Sequence, residues 1–233
     1  MFQGKKILAI IPARGGSKRI PDKNIKNFCG NPMISYPIKA LIESKLFEKI
    51  HVSTNERKVV EVVNKIGLKV DFYRPESLSD DYTPIMPVVK YVIGEYRKKN
   101  ENFDEIWVVL PCSPLINSKD LIKASIKFKQ TNSLNSLMAV SEYPVPIEWA
   151  FKTNTNGVLE PLNGGFFSKR SQDLEKKYYD AGMFYIYSEE YVLNTRYNGS
   201  DQNIIPYLIP KGKSIDIDDI EDWRYAEKLF KSK

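Results

Sequence analysis

A basic loop with two adjacent glycines, residues 12–24, follows the first apolar stretch of the sequence. Adjacent glycines let backbone N–H groups approach an anion closely, and a hydroxyl and several cationic side chains supply further donors. The spacing matches neither the Walker A motif nor the dinucleotide-binding glycine motif. We therefore predict a triphosphate-binding loop, with a solvated basic loop as the alternative. Its candidate phosphate ligands are Arg14, Gly15, Gly16, Ser17, Lys18 and Lys23.

Two aspartates near the end of the sequence, Asp216 and Asp218, are separated by one isoleucine. Residues i and i+2 of a strand point to one face, so both carboxylates would lie together while the isoleucines pack inward. Mg²⁺ takes one or two carboxylates together with phosphate oxygens. We therefore predict a strand over 214–218 that carries a Mg²⁺ site. The alternative is a solvated acidic turn that caps the last helix, a role for which Asp219 and Glu221 are better placed.

The elements that must position these residues are predicted by alternating apolar runs and amphipathic patterns. Strands are predicted over 5–13, 49–54, 69–74, 105–110, 136–143, 183–187, 204–209 and 214–218. Helices are predicted over 32–44, 56–66, 84–99, 119–129 and 221–230, with Asn55, Thr83 and Ser118 as N-caps. This alternation indicates an open, mostly parallel α/β sheet. Ligands bind beyond the carboxyl ends of such strands, which is where the basic loop begins.

The alternation stops over residues 144–180, which contain three prolines, several glycines and two pairs of aromatic residues. This stretch is too long to be a plain connection between two elements. We expect it to leave the sheet as a subdomain, a lid or a dimerisation arm. No linker separates two full domains, so residues 1–233 are predicted to form a single domain that carries this insertion.

The composition excludes several classes of protein. Hydrophobic residues make up 42% and charged residues 27% of the 233, which is ordinary for a globular domain. No apolar run approaches the ~18 residues of a membrane-spanning helix. Two cysteines and one histidine are too few for a disulfide framework or a multi-histidine metal site. The first residues do not resemble a secretory signal, so we expect a cytoplasmic protein with no membrane partner.

The net charge of +6 is consistent with nucleic acid, an anionic membrane surface or a small polyanion as partner. Its distribution favours the small polyanion. Residues 14–26 hold five cations and one carboxylate, whereas residues 216–222 hold five carboxylates and no cation. A nucleic-acid-binding protein would spread its cations over a face instead. We therefore expect no nucleic-acid partner.

Several segments also resemble one enzyme family. They are residues 11–18 with 23–24, residues 74–81, residues 111–115, residues 170–174 and residues 214–218. Together they resemble the nonulosonic acid cytidylyltransferases, of which the CMP-sialic acid synthetases are the best-known members. The resemblance implies a three-layer α/β/α Rossmann-like nucleotidyltransferase fold with a small dimerisation arm. It also implies a Mg²⁺-dependent homodimer that joins CTP and a nonulosonic acid into a CMP-sugar, with release of pyrophosphate.

The same resemblance implies roles for single residues. The residues implied in catalysis are Arg14, Lys18, Lys23, Asp216 and Asp218, the two aspartates as metal ligands. The residues implied in CTP binding are Ala13, Arg14, Gly15, Gly16, Ser17, Lys18, Lys23, Asn24, Arg74 and Thr83. Arg74 would contact or support the cytosine, with a surface arginine as the alternative. Asn24 would contact ribose or base, with a turn-forming asparagine as the alternative.

The sugar half of the implied site departs from the sialic acid enzymes. Leu110 stands where they have a glutamine, Cys112 where they have a threonine, and Ala181 where they have an asparagine. We infer the same nucleotide and a different sugar acid. Residues 167–174 and 179–185 resemble the branch that acts on pseudaminic acid for bacterial flagellin and surface glycans. The implied sugar-binding residues are Leu110, Arg170, Gln172 and Asp180.

An arginine fork such as that of Arg170 suits the sugar's carboxylate, with an ion pair in the arm as the alternative. Other functions also stay open at this point. A synthetase for N-acetylneuraminic or legionaminic acid would use the same nucleotide half. A glycosyltransferase could use the two aspartates but would leave the basic loop unexplained. A non-catalytic nucleotide-binding or nucleic-acid-binding protein is the alternative from a different class.

Overall fold

The computed structural model describes residues 4–131, 136–195 and 203–232, which contain ten strands and six helices. The strands are β1 (Ile7–Pro12), β2 (Asn27–Phe28), β3 (Asn31–Pro32), β4 (Lys49–Ser53), β5 (Glu105–Val109), β6 (Ser136–Glu142), β7 (Phe151–Thr153), β8 (Leu159–Pro161), β9 (Tyr178–Ser188) and β10 (Ile204–Leu208). The helices are α1 (Ser35–Ser44), α2 (Arg57–Lys65), α3 (Ile85–Lys98), α4 (Ser118–Gln130), α5 (Glu189–Asn194) and α6 (Ile220–Lys231).

The central sheet has six strands in the order β10-β6-β9-β5-β1-β4. β1 pairs in parallel with β4 and β5, and β10 pairs in parallel with β6. β9 runs antiparallel to both of its neighbours. The prediction of an open, mostly parallel α/β sheet is therefore confirmed, with β9 as the antiparallel member.

Two hydrophobic cores cover the two faces of the sheet, which gives the three layers of the fold. Side chains of β1 alternate between them: Ile7 and Ile11 enter the core shared with α1, α2, α4 and α6, while Leu8 and Ile10 enter the core shared with α3. Burial on both faces explains why β1 is almost continuously apolar. The strand is thereby fixed from both sides, and the loop that follows it starts from a rigid base.

Two predicted strands are wrong. Residues 69–74 form no ladder with the edge strand β4, and the backbone hydrogen bond from Arg74 N reaches Thr54 O (2.8 Å), one residue beyond the end of that strand. Residues 214–218 are extended but pair with no strand. Their alternation nevertheless holds, because Ile215 and Ile217 are buried and Asp216 is exposed. The carboxylate placement expected of a strand thus arises without one.

The three predicted N-caps are also wrong. Helix α2 is preceded by Glu56 and α3 by Pro84, neither with a side-chain cap. Helix α4 is capped by Asn117, whose side chain and that of Asp120 form a capping box. Asn55 instead accepts a hydrogen bond from the Gly15 N–H of the basic loop.

Residues 144–180, here called the arm, leave the sheet between β6 and β9. The arm contains the short hairpin of β7 and β8, and most of its residues are exposed. Its exposed apolar side chains, 41% to 66% accessible, are Val145, Ile147, Phe151, Val158, Leu159, Leu162, Phe167 and Tyr178. None of the helices within the described residues is long and apolar enough to cross a membrane.

Candidate active site

The basic loop and the acidic segment meet in one cleft of about 440 Å³ at the carboxyl edge of β1. The cleft is lined by Pro12, Arg14, Gly15, Ser17, Lys18, Arg19, Lys23, Asn24, Asp81 and Asp218. Segments that lie about 200 residues apart in the sequence therefore face each other across one space. This is the edge at which an open α/β sheet is expected to bind a ligand.

Residues of the neighbouring strand β4 and the segment after it fix the start of the loop. The backbone N–H of Ala13 donates to Ser53 O (2.9 Å), and the N–H of Gly15 donates to Asn55 Oδ1 (3.1 Å). A Cβ on Gly15 would lie 2.1 Å from the Cγ of Glu56, so a larger residue here would force the Glu56 side chain to move. The loop is thus positioned by tertiary contacts as well as by its own sequence.

Asn24 closes the loop from its other end. Its side-chain amide donates to Arg14 O (3.0 Å), and its Oδ1 accepts from the buried Cys112 thiol (3.5 Å). Burial raises the pKa of this thiol to about 12, so it stays protonated and can donate. Asn24, predicted as a contact of ribose or base, therefore links the two ends of the loop and the Cys112 turn.

Asp81 binds two cations of the loop together. Its carboxylate lies 2.8 Å from Arg14 Nη2 and 2.5 Å from Lys18 Nζ. Hydrogen bonds from these two side chains lower the pKa of Asp81, Lys18 contributing first. Arg14 and Lys18, both predicted to bind phosphate, are therefore neutralised by a carboxylate from the segment before α3.

Asp218 binds the other two cations that line the cleft. Its Oδ1 lies 2.8 Å from Arg19 Nη2 and 3.7 Å from Lys23 Nζ. Lys23 also donates to the backbone carbonyl of Ile217 (2.6 Å). Lys23 is only 20% exposed at its side chain, so its ammonium is aimed at the junction of loop and acidic segment.

Asp216 is the member of the acidic pair that packs against Gly182. Its surface is open on one side, yet protein atoms crowd the carboxyl, and this desolvation raises its pKa, with the charge of Asp218 adding to the rise. Gly182 lies directly against it: a Cβ there would be 2.9 Å from Asp216 Cγ. Among the described residues no group of three or more His, Cys, Asp or Glu side chains forms a metal site.

Arg74 and Thr83 lie near the cleft without lining it. Arg74 is buried, donating from Nη2 to Ser53 O (2.7 Å) and from Nε to Ser53 Oγ (3.1 Å). Burial lowers its pKa to about 10, and the charge of Arg14 adds to this. Thr83 is bound to Asp80, which accepts from its backbone N–H (2.6 Å). Arg74 is thus a buried support of the site, not a surface arginine.

The sugar half places Leu110 directly after β5 and Asp180 on the neighbouring strand β9. Leu110 follows β5, with its N–H donating to Met183 O of β9 (2.8 Å). Asp180 Oδ1 accepts from the N–H of Gly182 (2.9 Å), and its Oδ2 accepts a short hydrogen bond from Tyr185. Asp180 is close enough to Asp216 to raise its pKa further, so it borders the acidic pair.

Arg170 and Gln172 are not brought to this cleft within one chain. The Arg170 guanidinium binds Asp173 through Nε (2.8 Å) and Nη2 (3.0 Å), and both residues are exposed. Gln172 lines a separate arm cavity of about 310 Å³ together with Tyr143. The arm therefore holds these two predicted sugar ligands apart from the other site residues.

Four residues were not assigned a role in the site from the sequence: Arg19, Asn55, Asp81 and Tyr185. Asn55 follows a strand parallel to β1, so the shared carboxyl edge is a signal that could have indicated it. Arg19 lies inside the basic loop, and its ion pair with Asp218 is the contact that places it in the site. No sequence pattern indicates that Asp81 bridges two cations or that Tyr185 reaches Asp180.

Comparison with known proteins gives consistent results. The family model of the cytidylyltransferases matches residues 8–149. The chain is 37% identical to the pseudaminic acid cytidylyltransferase of Campylobacter jejuni over 226 residues, 97% of each chain. It is 29% identical to the CMP-N,N'-diacetyllegionaminic acid synthase of Legionella pneumophila, covering 97% of this chain and 96% of that one.

A solved structure shares the fold. It is a CMP:2-keto-3-deoxy-manno-octonic acid synthetase complexed with CTP, with a TM-score of 0.68 and 16% identity. The match covers 97% of this chain and 99% of that one. At this identity the likeness concerns the fold alone.

Proposed function

The chain belongs to the cytidylyltransferase family, and on that premise we propose that it transfers CMP from CTP to a nonulosonic acid, with pseudaminic acid as the favoured acceptor. The observation that carries the proposal is the cleft that Arg14, Lys18 and Lys23 share with Asp218, with Asp216 two residues away in the acidic segment. The 37% identity to a pseudaminic acid cytidylyltransferase, over nearly the whole of both chains, supports the choice of acceptor.

The basic loop would hold the leaving half of CTP. Arg14, Lys18 and the backbone of residues 15–17 would bind the β- and γ-phosphates, and Lys23 would contact the α-phosphate. Cations preorganised at the place where negative charge develops lower the barrier of phosphoryl transfer. The anomeric hydroxyl of the acid would attack the α-phosphorus. The bond to pyrophosphate breaks as the new phosphorus–oxygen bond forms, and the hydroxyl proton passes to a base.

The acidic pair fits a Mg²⁺ ion. Asp216 and Asp218 offer hard oxygen ligands, and a cation between them would relieve the repulsion that contributes to the raised pKa of Asp216. Since the described residues provide no larger ligand cluster, the remaining ligands would be phosphate oxygens and water, as is usual for Mg²⁺. When bound, the ion supplies charge neutralisation at the phosphates.

Replacing Asp216 tests this assignment. We expect Asp216→Asn to lower Mg²⁺-dependent turnover by about a hundredfold or more, because an amide cannot neutralise the cation. The circular dichroism spectrum should be unchanged, since the side chain is exposed. Glu190→Gln is the control, because it removes one negative charge from an exposed side chain on α5. Normal turnover by folded Asp216→Asn would contradict the metal-binding role.

The acceptor is tested by a panel of sugar acids. The purified protein is incubated with CTP, Mg²⁺ and, in separate reactions, pseudaminic, legionaminic and N-acetylneuraminic acid, and pyrophosphate release is measured. We expect kcat/KM to be highest with pseudaminic acid. Legionaminic acid is the second candidate because of the similarity to the Legionella synthase. Preference for either alternative acid would overturn the choice of acceptor while leaving the cytidylyltransferase activity intact.

We also propose a cytoplasmic homodimer joined through the arm, with no nucleic-acid or membrane partner. The exposed apolar side chains of the arm support the dimer, because their burial against a second copy would remove them from water. The four cations of the cleft are already paired with Asp81 and Asp218 instead of lying free on a face. This pairing supports a small ligand over nucleic acid.

A further inference from the structure

One carboxylate holds the two cations that would otherwise receive the β- and γ-phosphates. Asp81 contacts both Arg14 and Lys18 at ion-pair distance, with one carboxylate oxygen toward each. It comes from a different part of the fold, the segment between Arg74 and α3, and it lines the same cleft. A carboxylate therefore lies on the side of the cleft to which we assign the phosphates.

We propose that Asp81 is a displaceable counter-ion for polyphosphate, which pairs with Arg14 and Lys18 in the empty site, yields them to CTP and takes them back as pyrophosphate leaves. This inference rests on the proposed function, because it assigns the β- and γ-phosphates to these two cations. It adds a residue that sets how tightly the site holds its polyphosphate substrate and product.

The backbone around Asp81 is fixed independently of the cations. The neighbouring Asp80 accepts from the N–H groups of Tyr82 (2.9 Å) and Thr83 (2.6 Å), which forms a closed turn around position 81. The backbone at Asp81 can therefore stay in place, and a rotation of its side chain is enough to break or restore the ion pairs with Arg14 and Lys18. The turn holds the carboxylate ready beside the site.

The cations gain from a counter-ion when no ligand is present. Arg14 lies close enough to the buried Arg74 for its charge to contribute to the lowered pKa of that residue. Without Asp81 or phosphate, Arg14, Arg74 and Lys18 would form an unbalanced positive cluster. A ligand that binds both Arg14 and Lys18 through its phosphates must first break their ion pairs with Asp81. The pairing therefore lowers the binding affinity of every such ligand.

This competition makes a selective prediction. CTP and pyrophosphate reach both cations and must displace Asp81, whereas CMP, bound through its base and α-phosphate, need not. Removal of the Asp81 charge should therefore tighten CTP and pyrophosphate but leave CMP unchanged. A residue that only positions the two cations would have the opposite effect, because its loss would weaken polyphosphate binding.

The test is isothermal titration of wild type, Asp81→Asn and Asp80→Asn with CTP, pyrophosphate and CMP at fixed ionic strength. We expect Asp81→Asn to bind CTP and pyrophosphate about tenfold more tightly, as two exposed ion pairs warrant. Asp80→Asn is the matched control, because it removes the same charge one residue away while the amide oxygen can still accept from Tyr82 and Thr83. Its affinities should stay within about twofold of wild type.

Three results would overturn the inference: equal or weaker polyphosphate binding by Asp81→Asn, equal tightening by Asp80→Asn, or equal tightening of CMP. The first would make Asp81 a positioning residue, and the other two would indicate a general effect of charge. Failure of the wild-type protein to bind CTP would instead contradict the proposed function itself. The two failures are therefore distinguishable in one set of titrations.

Discussion

At the scale of the residue, the site is a set of ion pairs between distant parts of the sequence. Asp81 pairs with Arg14 and Lys18, and Asp218 pairs with Arg19 and Lys23. Each aspartate thus neutralises two cations of the basic loop. Asp216 stands apart, with a raised pKa and no such partner holding it in the described contacts. A bound cation would therefore stabilise the charged form of Asp216, which no ion pair in the described contacts stabilises.

Gly182 is predicted to place Asp216. Its backbone has a φ of +61°, and a Cβ would lie 2.9 Å from Asp216 Cγ, so Gly182→Ala must both strain the backbone and push the carboxylate. We expect turnover to fall by about tenfold to a hundredfold, because a displacement near 1 Å has effects of this size. Steady-state kinetics with CTP and the acceptor measure it.

Gly67→Ala is the control for backbone strain. Gly67 has a φ of +88° at the end of α2, and an added Cβ would meet no atom within 4 Å. This variant should lose stability, by about 1 kcal/mol, and keep its turnover. If both alanine variants lose equal activity, the Gly182 effect is one of stability and the positioning argument fails.

At the scale of the element, the acidic segment is held by the start of α6. The Asp219 side chain accepts from the N–H groups of Glu221 (2.8 Å) and Asp222 (3.0 Å), while the Asp222 carboxylate accepts from the N–H of Asp218 (2.9 Å). This capping box fixes the backbone of the residue that pairs with Lys23. The last helix therefore stabilises the fold and also positions the site.

The arm gives a prediction about assembly. Phe167 is 66% exposed and contacts Phe151 edge to face at a centroid distance of 5.5 Å. If the arm joins two copies, Phe167→Asp should weaken the dimer by about tenfold or more, because a charge would be buried at the interface. Sedimentation velocity over a range of concentrations measures the shift toward monomer.

Tyr225→Asp is a matched substitution outside the arm, since Tyr225 on α6 is 55% exposed. It should leave the sedimentation coefficient unchanged. A wild-type protein that stays monomeric at high concentration would refute the dimer. A Phe167→Asp variant that dimerises like wild type would show that this part of the arm is not the interface.

At the scale of the whole molecule, two cores enclose the sheet. The chain's single histidine is buried against Tyr96 and Phe72 of the core on the α3 side. His51 on β4 is fully buried, with Nδ1 3.1 Å from the Tyr96 hydroxyl and its ring stacked on Phe72 at 4.3 Å. Its Nε2 has no hydrogen-bond partner among the described residues. Burial lowers the pKa of His51 to about 3, so the ring is neutral in the folded protein.

Stability should therefore fall in acid. The unfolded chain binds a proton at His51 below pH ~6.5, while the folded chain does not until about pH 3, so stability is complete above ~6.5 and is lost as pH falls between these values. At pH 5 the loss is about 2 kcal/mol. Urea unfolding at pH 7 and pH 5 measures it.

His51→Phe keeps a stacked ring that cannot be protonated, so its stability should change much less between pH 7 and pH 5. Since the chain has one histidine, the imidazole proton resonances can be followed without assignment. They should show no titration between pH 5 and pH 8. A midpoint near 6.5 would contradict the buried, neutral ring.

The sequence by itself determined the alternating layers and predicted a phosphate-binding role for the basic loop. Both predictions depend on short stretches of sequence. The apolar run of β1 requires burial on two faces, and Gly15, Gly16 and their cationic neighbours suit an anion. The alternation of Ile215 and Ile217 with the two aspartates likewise predicted their burial, although no strand forms there.

Only the tertiary structure decided which charges meet. The pairing of Asp81 with Lys18 and of Asp218 with Arg19 depends on how far each loop extends beyond the sheet, which no local pattern encodes. The same holds for the separation of Arg170 from the cleft, because the path of the arm is set by its packing. Local propensity selects the elements, whereas the distance between side chains of different elements follows from the packing of the whole chain.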